Sequence, residues 1–152
     1  MSSPNIDQVD VRGPRFAAWV TTAVIIAVLA VSAVSSVAAA VLLGLQGVVF
    51  AIGAVGGPRA HPYGRIFATF VAPRRGPVTE KEPVAPLKFA QFVGFLFAVV
   101  GTIAFAVGLD IVGLVATAFA LVAAFLNAAF GICLGCQLYP LVARLRRVPS
   151  TA

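Results

Sequence analysis

Charge is what this sequence has least of. Charged residues make up 11% of its 152 residues, against about 25% in soluble domains. A soluble fold of this composition would turn a largely apolar surface to water, which excludes an ordinary water-soluble domain. Acidic residues number only five against eleven Lys and Arg, leaving a net charge of +6. The basic residues fall in clusters beside apolar runs, which is how membrane topology is written. They do not form the continuous basic surface that tracks phosphates, so nucleic acid is excluded as a partner. Two cysteines are too few for the disulfide framework of a secreted miniprotein. There is one histidine, no Ser-His-Asp set, no phosphate-binding loop and no pair of intramembrane carboxylates. Neither an autonomous catalytic site nor a cofactor is expected.

What is present is apolar. The hydrophobic fraction is 61% and the mean hydropathy +1.03, which together describe an all-α integral membrane protein. After a polar segment over residues 1–15, read as an unstructured cytoplasmic tail, an uncharged run extends from Phe16 to Gly57. About 40 residues of helix would be roughly 60 Å long, twice a ~30 Å hydrocarbon core, so the run holds two spans. The polar pair Ser35-Ser36 marks the division and predicts helices at 16–34 and 37–55. Helix 1 also loosely resembles a signal peptide, with Arg12 and Arg15 ahead of it and Ala30-Val-Ser-Ala33 as a small-residue cleavage site.

A loop over residues 57–86 follows. Within it Ile66, Phe67, Phe70 and Val71 recur at helical spacing between Pro62 and Pro73, which predicts a short helix lying in the membrane interface. Arg65, Arg74 and Arg75 would sit at the headgroups. His61 reads as a loop histidine without special role. The second apolar block is divided by Gly108-Leu-Asp110 and predicts helices at 89–107 and 111–139. Gly94, Gly101 and Gly108 recur every seven residues and predict one small-residue packing face. Gln46, Gln91 and Asn127 are intramembrane polar groups, suited to interhelical hydrogen bonds or to lining a site. The membrane domain is thus 16–147, with 148–152 as a tail. The connections at Ser35-Ser36 and at Gly108 to Asp110 hold no Lys or Arg. The positive-inside rule then places both termini and the long loop in the cytoplasm of a multi-pass inner-membrane protein.

The chain also repeats itself. Arg15-Phe-Ala-Ala-Trp-Val20 and Lys88-Phe-Ala-Gln-Phe-Val93 match as cation, Phe, Ala, any residue, aromatic, Val. Each opens a helical hairpin, and each hairpin leads into a basic amphipathic segment, one marked by Pro62 and the other by Pro140. Two parallel hairpin repeats, related by an axis along the membrane normal, are inferred. The cysteines have no counterpart in the first repeat.

The segment Phe130-Gly-Ile-Cys133-Leu-Gly-Cys136-Gln-Leu-Tyr-Pro140 carries what chemistry there is. The expected helix brings both sulfurs to the basic membrane boundary on one face, at a Cα separation of roughly 5 Å, within disulfide range. Gly131 and Gly135 leave the sulfurs unscreened, and Pro140, lacking an N–H for the Cys136 carbonyl, predicts a kink or break beside them. Near the end of a helix the dipole favours the neutral thiol, so the pair reads as partner-dependent unless the chain breaks at Gly135 and leaves Cys136 at a new helix N-terminus. Arg144, Arg146 and Arg147 lie too far along to reverse this. Three uses stay open: a redox or sulfur relay, two small packing residues, or half of a metal site whose only other soft donor is His61.

Three segments, Val9-Asp-Val-Arg-Gly-Pro-Arg15-Phe16, Glu82-Pro-Val-Ala-Pro-Leu-Lys88-Phe-Ala-Gln91-Phe-Val-Gly94 and Cys133-Leu-Gly-Cys136-Gln-Leu-Tyr139, resemble a bacterial family of small four-helix membrane proteins catalogued as a domain of unknown function. The resemblance covers nearly the whole chain. It implies a thiol or sulfur role for Cys133 and Cys136 with a thioredoxin-like or rhodanese-like sulfurtransferase partner. The lipid bilayer and a homodimer are the other expected partners. A membrane anchor or assembly subunit working through the basic segments, and a small transporter using Gln46, Gln91 and Asn127, are the competing functions.

Overall fold

A computed structural model describes residues 7–146; Arg147 and the tail at 148–152 lie outside the described residues. The described residues are all-α apart from one short ribbon. Strand β1 (Gln8–Asp10) leads into α1 (Arg12–Ser32), and a turn leads into α2 (Ser36–Gly56). After α3 (Pro62–Ile66), a π-turn at Phe67–Val71 and a 3₁₀ turn at Ala72–Arg74 come β2 (Lys81–Pro83), α4 (Val84–Ala106), α5 (Asp110–Phe130) and α6 (Leu134–Arg146).

Among the described residues four helices are long and apolar enough to cross a membrane, and this is a multi-pass membrane protein. The decisive feature is what they leave uncovered. Only 22–39% of their most apolar windows is buried by the protein itself. Leu45, Ile103, Val115 and Phe119 are each at least half exposed, which lipid tolerates and water does not. Inside, Ile25 and Val28 of α1, Leu43 and Phe50 of α2, Ala98 and Phe105 of α4 and Ala120 of α5 form one buried cluster.

Close approach of α2 and α4 is made by glycine. A Cβ on Gly94 would come within 3.0 Å of the Phe50 ring, and one on Gly101 within 2.5 Å of Leu43 Cδ2. Large side chains of α2 therefore fill notches on α4. Gly108 does not belong to this face. It lies beyond the end of α4 at φ 83, with nothing within 4 Å of a Cβ, so it serves the turn, where a left-handed backbone favours glycine. At the other short turn the Ser35 hydroxyl caps α2 by accepting from Ala38 N–H at 3.1 Å.

The duplication is written into the packing. Around the bundle α1 lies against α5 and α2 against α4, while α3 folds back on α1 and α6 folds back on α4. Each repeat is thus a hairpin plus a short helix returning to its own first span. The ribbon gives an independent test. A shift of 73 residues, the separation of Arg15 and Lys88, carries Gln8, Val9 and Asp10 onto Lys81, Glu82 and Pro83. The observed antiparallel partners are Gln8 with Pro83, Val9 with Glu82 and Asp10 with Lys81. A two-fold axis through the Val9–Glu82 pair produces that register, and it requires the segment before α1, expected as unstructured tail, to be a strand.

The long loop is also more ordered than a connection. Phe67 turns inward against Gly13 and the Phe16 ring, whose centroid is 5.8 Å away. Ile66 and Phe70 remain exposed, giving the segment one face toward α1 and one apolar face outward. Arg12 pairs with Asp10 at 2.8 Å and donates to the carbonyls of Arg75 and Gly76. Arg59 pairs with Asp7. Loop and amino-terminal strand are tied together at the basic end of the bundle.

Candidate functional site

The expected continuous helix over 111–139 is broken. It stops at Phe130, where Gly131 adopts φ 70 and its N–H bonds the Asn127 carbonyl at 3.1 Å. This is a left-handed helix cap, available to glycine without the penalty a Cβ would bring. Ile132 and Cys133 cross over, and α6 begins at Leu134. It runs through Pro140, so the break lies at Gly131 rather than beside that proline. In the first repeat Gly57 ends α2 at φ 77 in the corresponding place, and His61 stands before α3 as Cys133 stands before α6. The counterpart of Pro62 is therefore Leu134, not Pro140.

This moves the cysteines from the end of one helix to the start of another. Cys133 and Cys136 form a disulfide with a Cα separation of 5.1 Å. Cys136 N–H donates to Cys133 Sγ at 3.1 Å, and Gln137 N–H donates to the Cys133 carbonyl. Cys133 is thus the N-cap of α6, its sulfur standing where Ser or Asp would place an oxygen. The electrostatic expectation reverses with it. A helix N-terminus stabilises thiolate, whereas a C-terminus would oppose it.

A second positive influence comes from another helix. A Cβ on Gly131 would lie 3.9 Å from Arg15 Cζ, which places that guanidinium against the turn leading to Cys133. Arg15 also faces Glu82, whose carboxyl is pushed up by burial and pulled down by that cation. Helix α6 is held on α4 by Gly135, where a Cβ would come within 2.6 Å of Ala90 Cα, and by the Phe89 and Tyr139 rings with centroids 6.0 Å apart. Both cysteines are half-buried.

The basic half of the bundle is indented by a half-open cavity of about 600 Å³. Cys133, His61, Gln91 and Asn127 line it together with apolar residues such as Phe97 and Ala124. Such a volume and lining are typical of small-molecule sites. Two of the intramembrane amides therefore meet at one cavity, while Gln46 turns away to accept a hydrogen bond from Tyr63 Oη at 2.8 Å.

His61 is the residue that sequence reasoning undervalued. It is 2% exposed, and its ring packs over Gly53, where a Cβ would approach within 2.6 Å. The ring lies against the Gln91 side chain, which is close enough to act on its charge but makes no well-aligned hydrogen bond with either ring nitrogen. Burial lowers its pKa from 6.5 to about 4, although the adjacent Gln91 amide favours the protonated ring. Pro62 immediately after it was a usable sign of a helix N-cap. Nothing local announced that this cap would be sealed under α2 and α4. Arg65, Arg74, Arg75, Arg144 and Arg146 remain exposed at the basic end. Among the described residues no three His, Cys, Asp or Glu side chains come together as a metal site.

No curated protein and no solved structure matches the chain. A family model described as Domain of unknown function (DUF4395) matches residues 9–144, from β1 through the disulfide and most of α6, and the chain belongs to that family.

Proposed function

We propose that this protein is a membrane thiol–disulfide relay, in which Cys133 and Cys136 exchange electrons with a soluble dithiol protein of thioredoxin or sulfurtransferase type. The observation that carries the reading is the disulfide at the N-terminus of α6, with Cys136 N–H directed at Cys133 Sγ. A partner thiolate attacks Cys136 Sγ, a partner–Cys136 disulfide forms, and the Cys133–Cys136 bond breaks. Cys133 leaves as thiolate, favoured by the helix N-terminus and by Arg15, because a leaving thiol of lower pKa departs faster. The partner's second thiol then attacks its own sulfur and releases Cys136. The partner is oxidised by two electrons and this pair is reduced by two. The same exchange run backward reduces an oxidised partner.

The positive-inside rule supports a bacterial inner-membrane location with the basic end, and so the disulfide, in the cytoplasm. The exposed arginines would meet lipid headgroups or an acidic partner surface. The test uses the full chain in nanodiscs with a thioredoxin-type protein as probe. Cys133→Ser is mixed with a probe whose second cysteine is replaced by serine and whose remaining cysteine is activated as a thionitrobenzoate disulfide; Cys136 should displace thionitrobenzoate and accumulate a mixed disulfide, because neither side then holds a resolving thiol. If the native disulfide resists dithiol reduction and no mixed disulfide accumulates, the relay reading fails and an anchoring role through the arginines takes its place.

A further inference from the structure

Helix α6 carries the disulfide at its start and an apolar stripe that no other described residue covers. Leu134, Leu138, Leu141 and Leu145 recur at steps of four, three and four residues and so share one face. All four are exposed, Leu141 at 56% and Leu145 at 67%. Gly135 and Tyr139 make a second face, which packs on Ala90 and Phe89 of α4. Arg144 and Arg146 stand one residue before and one after Leu145, about 100° to either side of the stripe, and both are exposed. Cys136 is two residues from Leu134 and two from Leu138, which turns it about 160° away from the leucines.

Two observations say what covers the stripe. The first is continuity with a lipid-facing surface. Exposed apolar side chains run from Phe130, the last residue of the spanning helix α5, through Ile132 to Leu134, so the stripe extends the face that α5 turns to lipid. The contacts with α4 also set α6 across that span. From Gly135 to Tyr139 α6 advances about 6 Å, while its contacts on α4 pass only from Ala90 to Phe89, about 1.5 Å. A helix that crosses a membrane span in this way runs near the membrane plane. Ala90 lies two residues beyond Lys88, about 3 Å of helix, so the crossing falls where the basic residues mark the membrane boundary. The second observation is charge. Helix α6 contains no acidic residue, and the repeat-related segment has the same makeup, with Ile66 and Phe70 exposed beside Arg65 and Arg74. An apolar face flanked by arginines at this level suits acyl chains on one side and anionic headgroups on the other.

We propose that α6 is a lipid-surface helix, its leucine stripe lying among acyl chains of the leaflet at the basic end and Arg144 and Arg146 binding anionic phospholipid headgroups. Its functional meaning rests on the thiol-relay reading, because this pose turns Cys136 away from the bilayer toward the water side, where a soluble partner reaches it.

The experiment uses the full oxidised chain at one copy per nanodisc, in phosphatidylcholine alone and in phosphatidylcholine mixed with phosphatidylglycerol. Amide hydrogen exchange read by mass spectrometry reports the order of α6. Each arginine near an anionic surface favours association roughly fivefold, so exchange across α6 should be at least about tenfold slower with phosphatidylglycerol than without it. Arg144→Gln with Arg146→Gln should abolish that difference, and Leu141→Gln with Leu145→Gln should speed exchange in both lipids. These side chains are exposed, and unchanged exchange in α4 and α5 establishes that each variant is folded; the wild-type comparison between lipids needs no variant. Equal exchange of wild type in the two lipids overturns the proposal, as do wild-type rates in both variants. Protection that appears only on adding an acidic thioredoxin-type protein, or only in discs holding two copies, assigns the stripe to that partner and also overturns it. Reduction of the disulfide by a thioredoxin-type protein is measured on the same discs. An irreducible disulfide on a lipid-protected α6 fails the relay reading alone and upholds the lipid pose, whereas a reducible disulfide on an α6 indifferent to lipid does the reverse.

Discussion

Replacing Gly135 by alanine is the sharpest test of how the disulfide is positioned. The added Cβ would sit 2.6 Å from Ala90 Cα and 2.7 Å from Ala90 Cβ. Carbon atoms in favourable contact lie at ~3.5–4.0 Å, so α6 must withdraw from α4 by about 1 Å. The obstacle is backbone and cannot rotate aside. Overpacking of this kind costs roughly 1–3 kcal/mol, and the better helix propensity of alanine returns up to ~1 kcal/mol. A net 1–2 kcal/mol raises the undocked population of α6 about 5- to 30-fold. In reduced protein held in nanodiscs, the alkylation rate of Cys133 and Cys136 by a bulky polar maleimide should rise by that factor. Gly44→Ala is the control, since its Cβ would meet Thr102 at an ordinary 3.5 Å. An alkylation rate for Gly135→Ala within twofold of wild type would refute the claim that this contact seats the thiols.

The remaining expectations concern the groups around the cavity and the turn. Because His61 titrates near 4 in the fold and near 6.5 in model peptides, the stability it confers is complete above pH 6.5. It is lost as pH falls toward 4, by at most ~1.4 kcal/mol per pH unit. Melting of wild type should therefore decline over that window more steeply than melting of His61→Phe, and parallel curves would contradict the burial argument. Tyr63→Phe removes the donor to Gln46, whose side chain is 1% exposed and whose Nε2 is already unpartnered. A loss of about 1–3 kcal/mol is expected in thermal or denaturant unfolding. In Arg15→Gln the cation beside the Gly131 turn disappears, so the pH at which the reduced Cys133 becomes reactive to iodoacetamide should move upward. Gly131→Val forces a β-branched residue into a left-handed backbone at a cost of about 1–2 kcal/mol and should loosen the disulfide turn, seen as faster reduction by dithiothreitol.

Much of the architecture could be read from the chain because lipid imposes simple rules. Long uncharged runs must be helices, their lengths fix the number of spans, and the matching Arg15 and Lys88 segments disclosed the repeat. The register of β1 and β2 then bears out the two-fold relation in three residue pairs. The candidate site was legible only in its composition. The Cys-Leu-Gly-Cys segment was visible, but its helical context was not. An apolar stretch from Ile111 onward looks equally helical on both sides of Gly131, and only the fold shows that this glycine turns left-handed. Gly108 misled for the opposite reason, since a seven-residue spacing places it on a face that α4 does not extend far enough to present.

What the sequence determined alone is the all-α membrane class, the four spans, the duplication and the gathering of cations at one end. Each follows from composition and period along a single chain, and none depends on which helices touch. What only the tertiary structure decided is the chemical setting of the sulfur pair. The reversal from helix end to helix start, Arg15 brought against the turn, His61 sealed under α2 and α4, and one cavity shared by His61, Gln91, Asn127 and Cys133 all join residues far apart in the chain. Such neighbours are set by the packing of α3 and α6 onto α1 and α4, and no local pattern encodes that packing.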